Sequence, residues 1–141
     1  MLKELYIKNM AVVDDLRISF NTGFQVLTGE TGAGKTILVE AIGLILGHKA
    51  SHTMIRDGAA EAIVEASFDI KSNDEVLKLI KSEGVENSDH PTELVIKRQV
   101  TLSGQNKVFV NYQRIPLSLL QQLSVFLVDF TGQHEQAKLL E

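Results

Sequence analysis

Apolar and polar residues alternate along two short stretches near the start of the chain, Leu5-Tyr6-Ile7 and Leu16-Arg17-Ile18-Ser19-Phe20. A period of two predicts strands, here separated by a loop around Asp14-Asp15. Asn21-Thr22-Gly23 reads as a turn and Phe24-Gln25-Val26-Leu27-Thr28 as a third strand. Beyond a glycine-rich stretch the period changes. From about Lys35 to Leu46, Ile37, Leu38, Val39, Ala41, Ile42, Leu44, Ile45 and Leu46 leave a helix apolar nearly all round, so burial on several sides is expected, with Gly47 as its stop. Residues Ala62 to Ile70 alternate again, as in a half-exposed strand. Asn73 to Ser82 predicts a short surface helix carrying Val76, Leu77, Leu79 and Ile80, and the polar stretch Gly84 to Pro91 is expected to be the most mobile. Leu94–Val100 and Lys107–Asn111 predict two strands joined as a hairpin through Thr101 to Asn106. Pro116 opens a helix to about Leu123, and Val125–Asp129 reads as a buried strand before a polar loop and the start of another helix. The pattern shows no repeat, and elements interspersed in this way predict an α/β or α+β fold.

The glycine-rich stretch carries the chemistry. Gly29-Glu30-Thr31-Gly32-Ala33-Gly34-Lys35-Thr36 fits G-x-x-x-x-G-K-[ST] without a mismatch, between an apolar strand ending at Thr28 and a helix beginning at Lys35. Glycines let the backbone curl so that successive N–H groups face one anion, and a helix N-terminus adds positive potential. Lys35 supplies a cation for the β- and γ-phosphates, and the Thr36 hydroxyl is placed to ligate Mg²⁺. The plainer reading, a glycine-rich turn with a chance lysine, leaves the matching strand and helix unexplained. Completing such a site takes a carboxylate for Mg²⁺ and a residue to orient the attacking water. Two candidates stand: Asp129, behind four apolar residues in the form of a Walker-B strand but followed by Phe130 rather than a second acid, and Gln133 in the loop after it. Their plainer readings are a strand-end residue and a solvated loop.

Composition narrows the partners. The 141 residues are 44% hydrophobic and 23% charged, an ordinary soluble balance. A chain of this size can bury about 70% of its unfolded surface without staples. Fourteen Lys and Arg against eighteen Asp and Glu give a net charge of −4, which argues against wrapping nucleic acid by bulk charge but not against a local patch. The absence of cysteine excludes disulfides, thiolate zinc sites and thiol nucleophiles. Met1-Leu2-Lys3-Glu4-Leu5 lacks the core of a signal peptide, and the apolar run Ile37 to Leu46, broken by Glu40, is too short for a bilayer.

Several segments together resemble the head of SMC-type ATPases: Leu5-Tyr6-Ile7-Lys8-Asn9 followed by Ala11-Val12-Val13, the loop from Thr28 to Leu38, and Gly43-Leu44-Ile45-Leu46-Gly47. The hairpin end Val108 to Arg114 and the segment Gly132-Gln133-His134-Glu135 extend the likeness over essentially all of the chain, toward the members that serve bacterial DNA repair. The resemblance implies a mixed α/β fold, the N-terminal lobe of an ABC/SMC-type P-loop head, with a mixed β-sheet around the helix from Lys35 to Leu46. It implies that Gly29 to Thr36 hold ATP, that Thr36 and Gln133 complete the Mg²⁺ shell, that Lys35 and Gln133 serve the reaction, and that Asp129 belongs to the strand before Gln133. A Ser-Gly-Gly-type signature, an apolar run ending in Asp-Glu and sustained heptads do not occur in the sequence, so residues 1–141 are expected to be one lobe truncated before a coiled coil. On this reading ATP turnover needs a C-terminal lobe and a homodimer of ATP-bound heads, and the whole protein acts on DNA in recombinational repair of double-strand breaks, in the cytoplasm at the nucleoid, without a membrane.

Weaker signals stay open. Arg56 lies roughly where such heads carry an arginine near nucleotide or DNA, or else pairs with Asp57 or another acid. Lys8 and Asn9 either approach nucleotide or shape a turn. Lys97, Arg98, Lys107 and Arg114 form a basic hairpin, read first as a solvated edge and second as a contact for DNA phosphates. His48, His52, His90 and His134 lack metal-ligand spacing. Two rivals remain: a self-contained P-loop NTPase or kinase with Asp129 as Walker-B acid, and a docking lobe whose loop binds only weak anions.

Overall fold

The computed structural model describes residues 1–20 and 32–130. Alternation builds most of it. Strands β1 (Leu2–Met10), β2 (Val13–Ser19), β3 (Glu61–Asp69), β4 (Glu93–Thr101), β5 (Asn106–Val110) and β6 (Gln113–Ile115) form one sheet in the order β2-β1-β3-β4-β5-β6. Every pairing among the described residues is antiparallel. Register puts Leu5 opposite Ala66 and Ile7 opposite Val64, then Ala66 opposite Ile96, so one face is continuous and buried. The other face carries the row Arg17, Tyr6, Glu65, Lys97, Phe109 and Arg114. An antiparallel sheet tolerates water on one face, which is why these strands alternate rather than run apolar throughout.

Three helices cover the apolar face. Helix α1 (Gly32–Ile45) lies against β3 and β4, α3 (Leu117–Phe130) against β5, and α2 (Asp74–Ser82) against α3. Helix α1 buries Ile37, Leu38, Ala41, Ile42, Leu44 and Ile45, as its all-round apolar character predicts. None of the helices among the described residues is long and apolar enough to cross a membrane.

Two tight turns require left-handed backbone. Asn9 and Ala11 take φ of 56° and 53° where β1 returns into β2. Asn111 and Tyr112, at 50° and 67°, make the two-residue link between β5 and β6, a turn that favours Asn at its first position and Gly at its second. Asn111 is buried and earns that place: its Oδ1 accepts from the Val95 N–H at 3.0 Å, and its Nδ2 donates to the Val85 carbonyl at 2.7 Å. That second bond anchors the start of the polar stretch expected to be the most mobile, where Val85 is itself buried and its N–H donates to the Ile80 carbonyl.

Several boundaries move and one element changes type. The expected strand Phe24–Thr28 lies outside the described residues. Helix α1 starts three residues earlier than the apolar pattern alone indicated, β2 begins at Val13, and β6 was not foreseen because three residues carry too little alternation to read. The strand expected at Val125–Asp129 is instead the second half of α3. Burial explains why: Leu119, Leu120, Leu123 and Leu127 face the core at helical spacing while Val125 is 58% exposed. A run of four apolar residues is ambiguous by itself, and the leucines before it decide the period. Leu127→Ala is accordingly expected to cost about 2–5 kcal/mol and Val125→Ala no more than about 0.5 kcal/mol in denaturant unfolding. Equal costs at the two positions would contradict the helix.

Candidate functional site

The first turn of α1 is formed by Gly32, Ala33 and Gly34, so the glycine-rich motif runs into the helix itself. The N–H groups of that turn have no carbonyl partner within the helix, and the helix dipole adds to their positive potential. No acidic residue lies in this turn. Helix α2 shows the contrast, with Asp74 and Glu75 in its first turn and the Asn73 Oδ1 accepting from the Val76 N–H at 3.1 Å. The N-terminal end of α2 is thus neutralised from within the chain, whereas that of α1 carries no acid in its turn. Lys35 and Thr36 are exposed at the same end, immediately before the buried Ile37 and Leu38. The Lys35 and Thr36 side chains are therefore exposed at the end of the helix where the N–H groups of its first turn lie. This donor set suits a polyphosphate with its divalent cation: N–H groups and Lys35 toward the anion, the Thr36 hydroxyl toward Mg²⁺. Gly29, Glu30, Thr31 and Gln133 lie outside the described residues.

At the opposite end of α1, carbonyls receive donors from the chain itself. Gly47, at φ +97°, donates its N–H to the Leu44 carbonyl at 3.1 Å, and the His48 N–H reaches the Gly43 carbonyl at 3.0 Å. These two bonds make a Schellman cap. Side chains from two other elements add to it. Arg98 Nη1 donates to the carbonyls of Leu44 at 2.5 Å and His48 at 2.9 Å, Arg98 Nη2 to Asn106 Oδ1 at 3.1 Å, and Gln121 Nε2 to the Gly47 carbonyl at 3.0 Å. Burial lowers the Arg98 pKa to about 10, which still leaves the guanidinium charged at neutral pH.

This placement corrects the basic hairpin. Adjacent residues of a strand face opposite sides, and Arg98 pairs with the inward residues Val64 and Val108, so it is fully buried and unavailable to DNA. Lys97 is on the outer face, its ammonium 5.4 Å from the Phe109 ring centre, with Arg114 exposed at the next strand. Parity along Leu94 to Val100 carried that signal in the sequence. Arg56 Nη1 donates to the Val12 carbonyl at 2.7 Å, bracing the β1–β2 turn rather than pairing with an acid. Asn9 accepts the Arg56 N–H through its own carbonyl at 2.9 Å, a turn role. The outer face also holds an open groove between Tyr6, Glu65, Glu93 and Tyr112, but its cations are already engaged, Lys3 with Glu93 and Arg17 with Glu4. Asp129 falls within α3, so the Walker-B reading, and equally its placement in a strand before Gln133, loses the strand end it needs.

Fold and site together define a P-loop lobe of the AAA type, and the chain belongs to the AAA domain family, which matches residues 4–138. More particularly, it is similar along its whole length to the DNA repair protein RecN of Bacillus subtilis, 38% identical over 141 residues that make up all of this chain and 24% of that protein. The chain thus spans about a quarter of the length of the curated relatives it matches. A solved chain from work on ATP-driven dimerisation and DNA-stimulated activation of SMC ATPases has the same fold, with a TM-score of 0.65 at 19% identity over 99% of this chain and 96% of that one. The SMC head domain of Thermotoga maritima gives 0.57 at 21% over 86% and 41%. The expected α/β head-lobe fold is therefore observed, with a sheet that is antiparallel throughout the described residues rather than mixed.

The two neighbouring cations on β4 make a direct check of these assignments. Arg98→Ala is expected to lower unfolding free energy by about 3 kcal/mol, through lost charged hydrogen bonds and packing, and Lys97→Ala by no more than about 1 kcal/mol. A denaturant titration showing the reverse order would place Arg98 outside the core.

Proposed function

We propose that this chain is the ATP-binding lobe of an SMC-like head in a protein of recombinational double-strand-break repair. The observation that carries the reading is the end of α1: a glycine-rich first turn with no acid, followed by exposed Lys35 and Thr36, at the head of a helix that buries Ile37, Leu38, Ala41, Ile42, Leu44 and Ile45. The backbone N–H groups of Gly32, Ala33 and Gly34 and the Lys35 ammonium hold the phosphates, and the Thr36 hydroxyl and Gln133 complete the shell of Mg²⁺. The cation neutralises charge on the β- and γ-phosphates. Gly29, Glu30 and Thr31, the rest of the sequence motif, are assigned to the same nucleotide. The likeness to RecN over the whole chain supports DNA repair as the setting.

In this reading β–γ bond hydrolysis is a property of the assembled head, with a C-terminal lobe of the same protein and a second ATP-bound head completing each site. DNA is the substrate on which the whole protein acts, in the cytoplasm at the nucleoid. ATP binding then works as a switch, because it favours the closed pair of heads over the open one.

The test is calorimetric titration of the purified chain with ATP and Mg²⁺, beside a turnover assay. Lys35→Ala is expected to weaken binding at least about tenfold, the equivalent of about 1.4 kcal/mol, while Asp129→Asn binds as the parent and no variant turns ATP over. Steady turnover abolished by Asp129→Asn would overturn the reading in favour of a self-contained enzyme. Equal affinity for ATP and pyrophosphate, unchanged in Lys35→Ala, would reduce the loop to a weak anion site.

A further inference from the structure

We infer that Arg98 is a positioning residue for the phosphate-binding end of α1, acting from the far end of the helix. The inference rests on the nucleotide reading above, and it starts from a charge that the fold does not otherwise require. Arg98 is completely buried, its Nε has no partner, and the ion pairs among the described residues, Lys3–Glu93 and Arg17–Glu4, lie elsewhere. A buried cation without a carboxylate is expensive, and an apolar side chain at this inward position of β4 would pack at lower cost. Helix termination does not need it either, because the Gly47 cap already supplies the Leu44 and Gly43 carbonyls with donors.

What Arg98 adds is direction. Its guanidinium ties the Leu44 and His48 carbonyls, on either side of the cap, to one point on the sheet, with Asn106 fixing its second nitrogen. The negative end of the helix dipole supplies the countercharge, and the last turn of α1 contains no basic residue of its own. Gln121 holds the Gly47 carbonyl from α3, so the end of α1 is fixed against two elements at once. The approach is close: a Cβ on Gly47 would meet Gln121 Cγ at 2.8 Å, and one on Gly43 would meet His48 Nδ1 at 2.8 Å. A helix of 14 residues is about 21 Å long, so a tilt of about 5° at the clasp displaces the first turn by about 2 Å. A shift of that size takes N–H groups out of hydrogen-bonding range of a phosphate. The clasp therefore sets where the donors of Gly32 to Lys35 stand relative to the sheet.

The experiment compares Arg98→Met, Arg98→Lys and Gln121→Ala with Val76→Ala, a buried α2 substitution that lowers stability away from the clasp, all at a temperature where each is fully folded. Arg98→Met is expected to weaken ATP–Mg²⁺ binding about tenfold and Gln121→Ala about threefold, with Arg98→Lys recovering most of the loss and Val76→Ala binding as the parent. Should Arg98→Met fail to fold, the Gln121→Ala and Arg98→Lys arms decide. In the nucleotide-free chain, Arg98→Met and Gln121→Ala are expected to speed amide exchange at residues 35–38 beyond Val76→Ala, a readout independent of any ligand. Parental affinity and parental exchange in folded Arg98 and Gln121 variants, or equal losses in Val76→Ala, would overturn the inference. Failure of the nucleotide reading looks different: Lys35→Ala would bind as the parent while the exchange arm still reported on the clasp.

Discussion

A helix that is apolar on nearly every side must be buried, and a phosphate-binding helix must leave its first turn open to water. On the proposed reading, helix α1 satisfies both demands by dividing them along its axis. From Ile37 its apolar side chains pack against β3, β4 and the rest of the core with only Val39 half-buried and Glu40 exposed, and Lys35 and Thr36 remain outside. The two ends are electrostatic opposites: a first turn of N–H groups containing no acid at one, and carbonyls receiving Gly47, His48, Arg98 and Gln121 at the other. Much of the remaining architecture holds this one rod against the sheet, with α3 reaching its far end through Gln121.

The sheet has two characters because only one of its faces meets that rod. Inward residues such as Ile7, Val64 and Ile96 are buried, whereas the outer row from Arg17 to Arg114 mixes charges and rings that pair locally, as in Arg17 over Tyr6 at 4.6 Å. Turns of unusual backbone connect the strands, and buried or braced polar groups hold them: Arg56 on the Val12 carbonyl, Asn111 between Val95 and Val85. The same side-chain types occur in unspecialised loops, so their importance here comes from what they bridge.

Much of this was legible in the sequence. Period-two alternation located β1, β3, β4 and β5, the glycine-lysine motif marked the start of α1 and the end assigned to nucleotide, and Gly47 marked its stop. Other features were illegible for physical reasons. Val125–Asp129 has the length and apolarity of a strand, and only burial at Leu119, Leu120, Leu123 and Leu127 shows the helical period. Arg98 sits beside Lys97 and reads as surface charge by composition, although strand parity turns it inward. Its partners, Leu44 and Asn106, are brought to it by pairing and packing that a linear pattern does not contain.

The central claim is that the first turn of α1 receives the phosphates of ATP while the far end stays fixed. Amide chemical shifts of the isotopically labelled chain, followed during titration with ATP and Mg²⁺, test it residue by residue. The account predicts the largest changes at Gly32, Ala33, Gly34 and Lys35, with Leu46, Gly47 and the edge strand β2 nearly unmoved. Changes centred on the outer groove around Tyr6 and Tyr112, with the first turn of α1 silent, would contradict it.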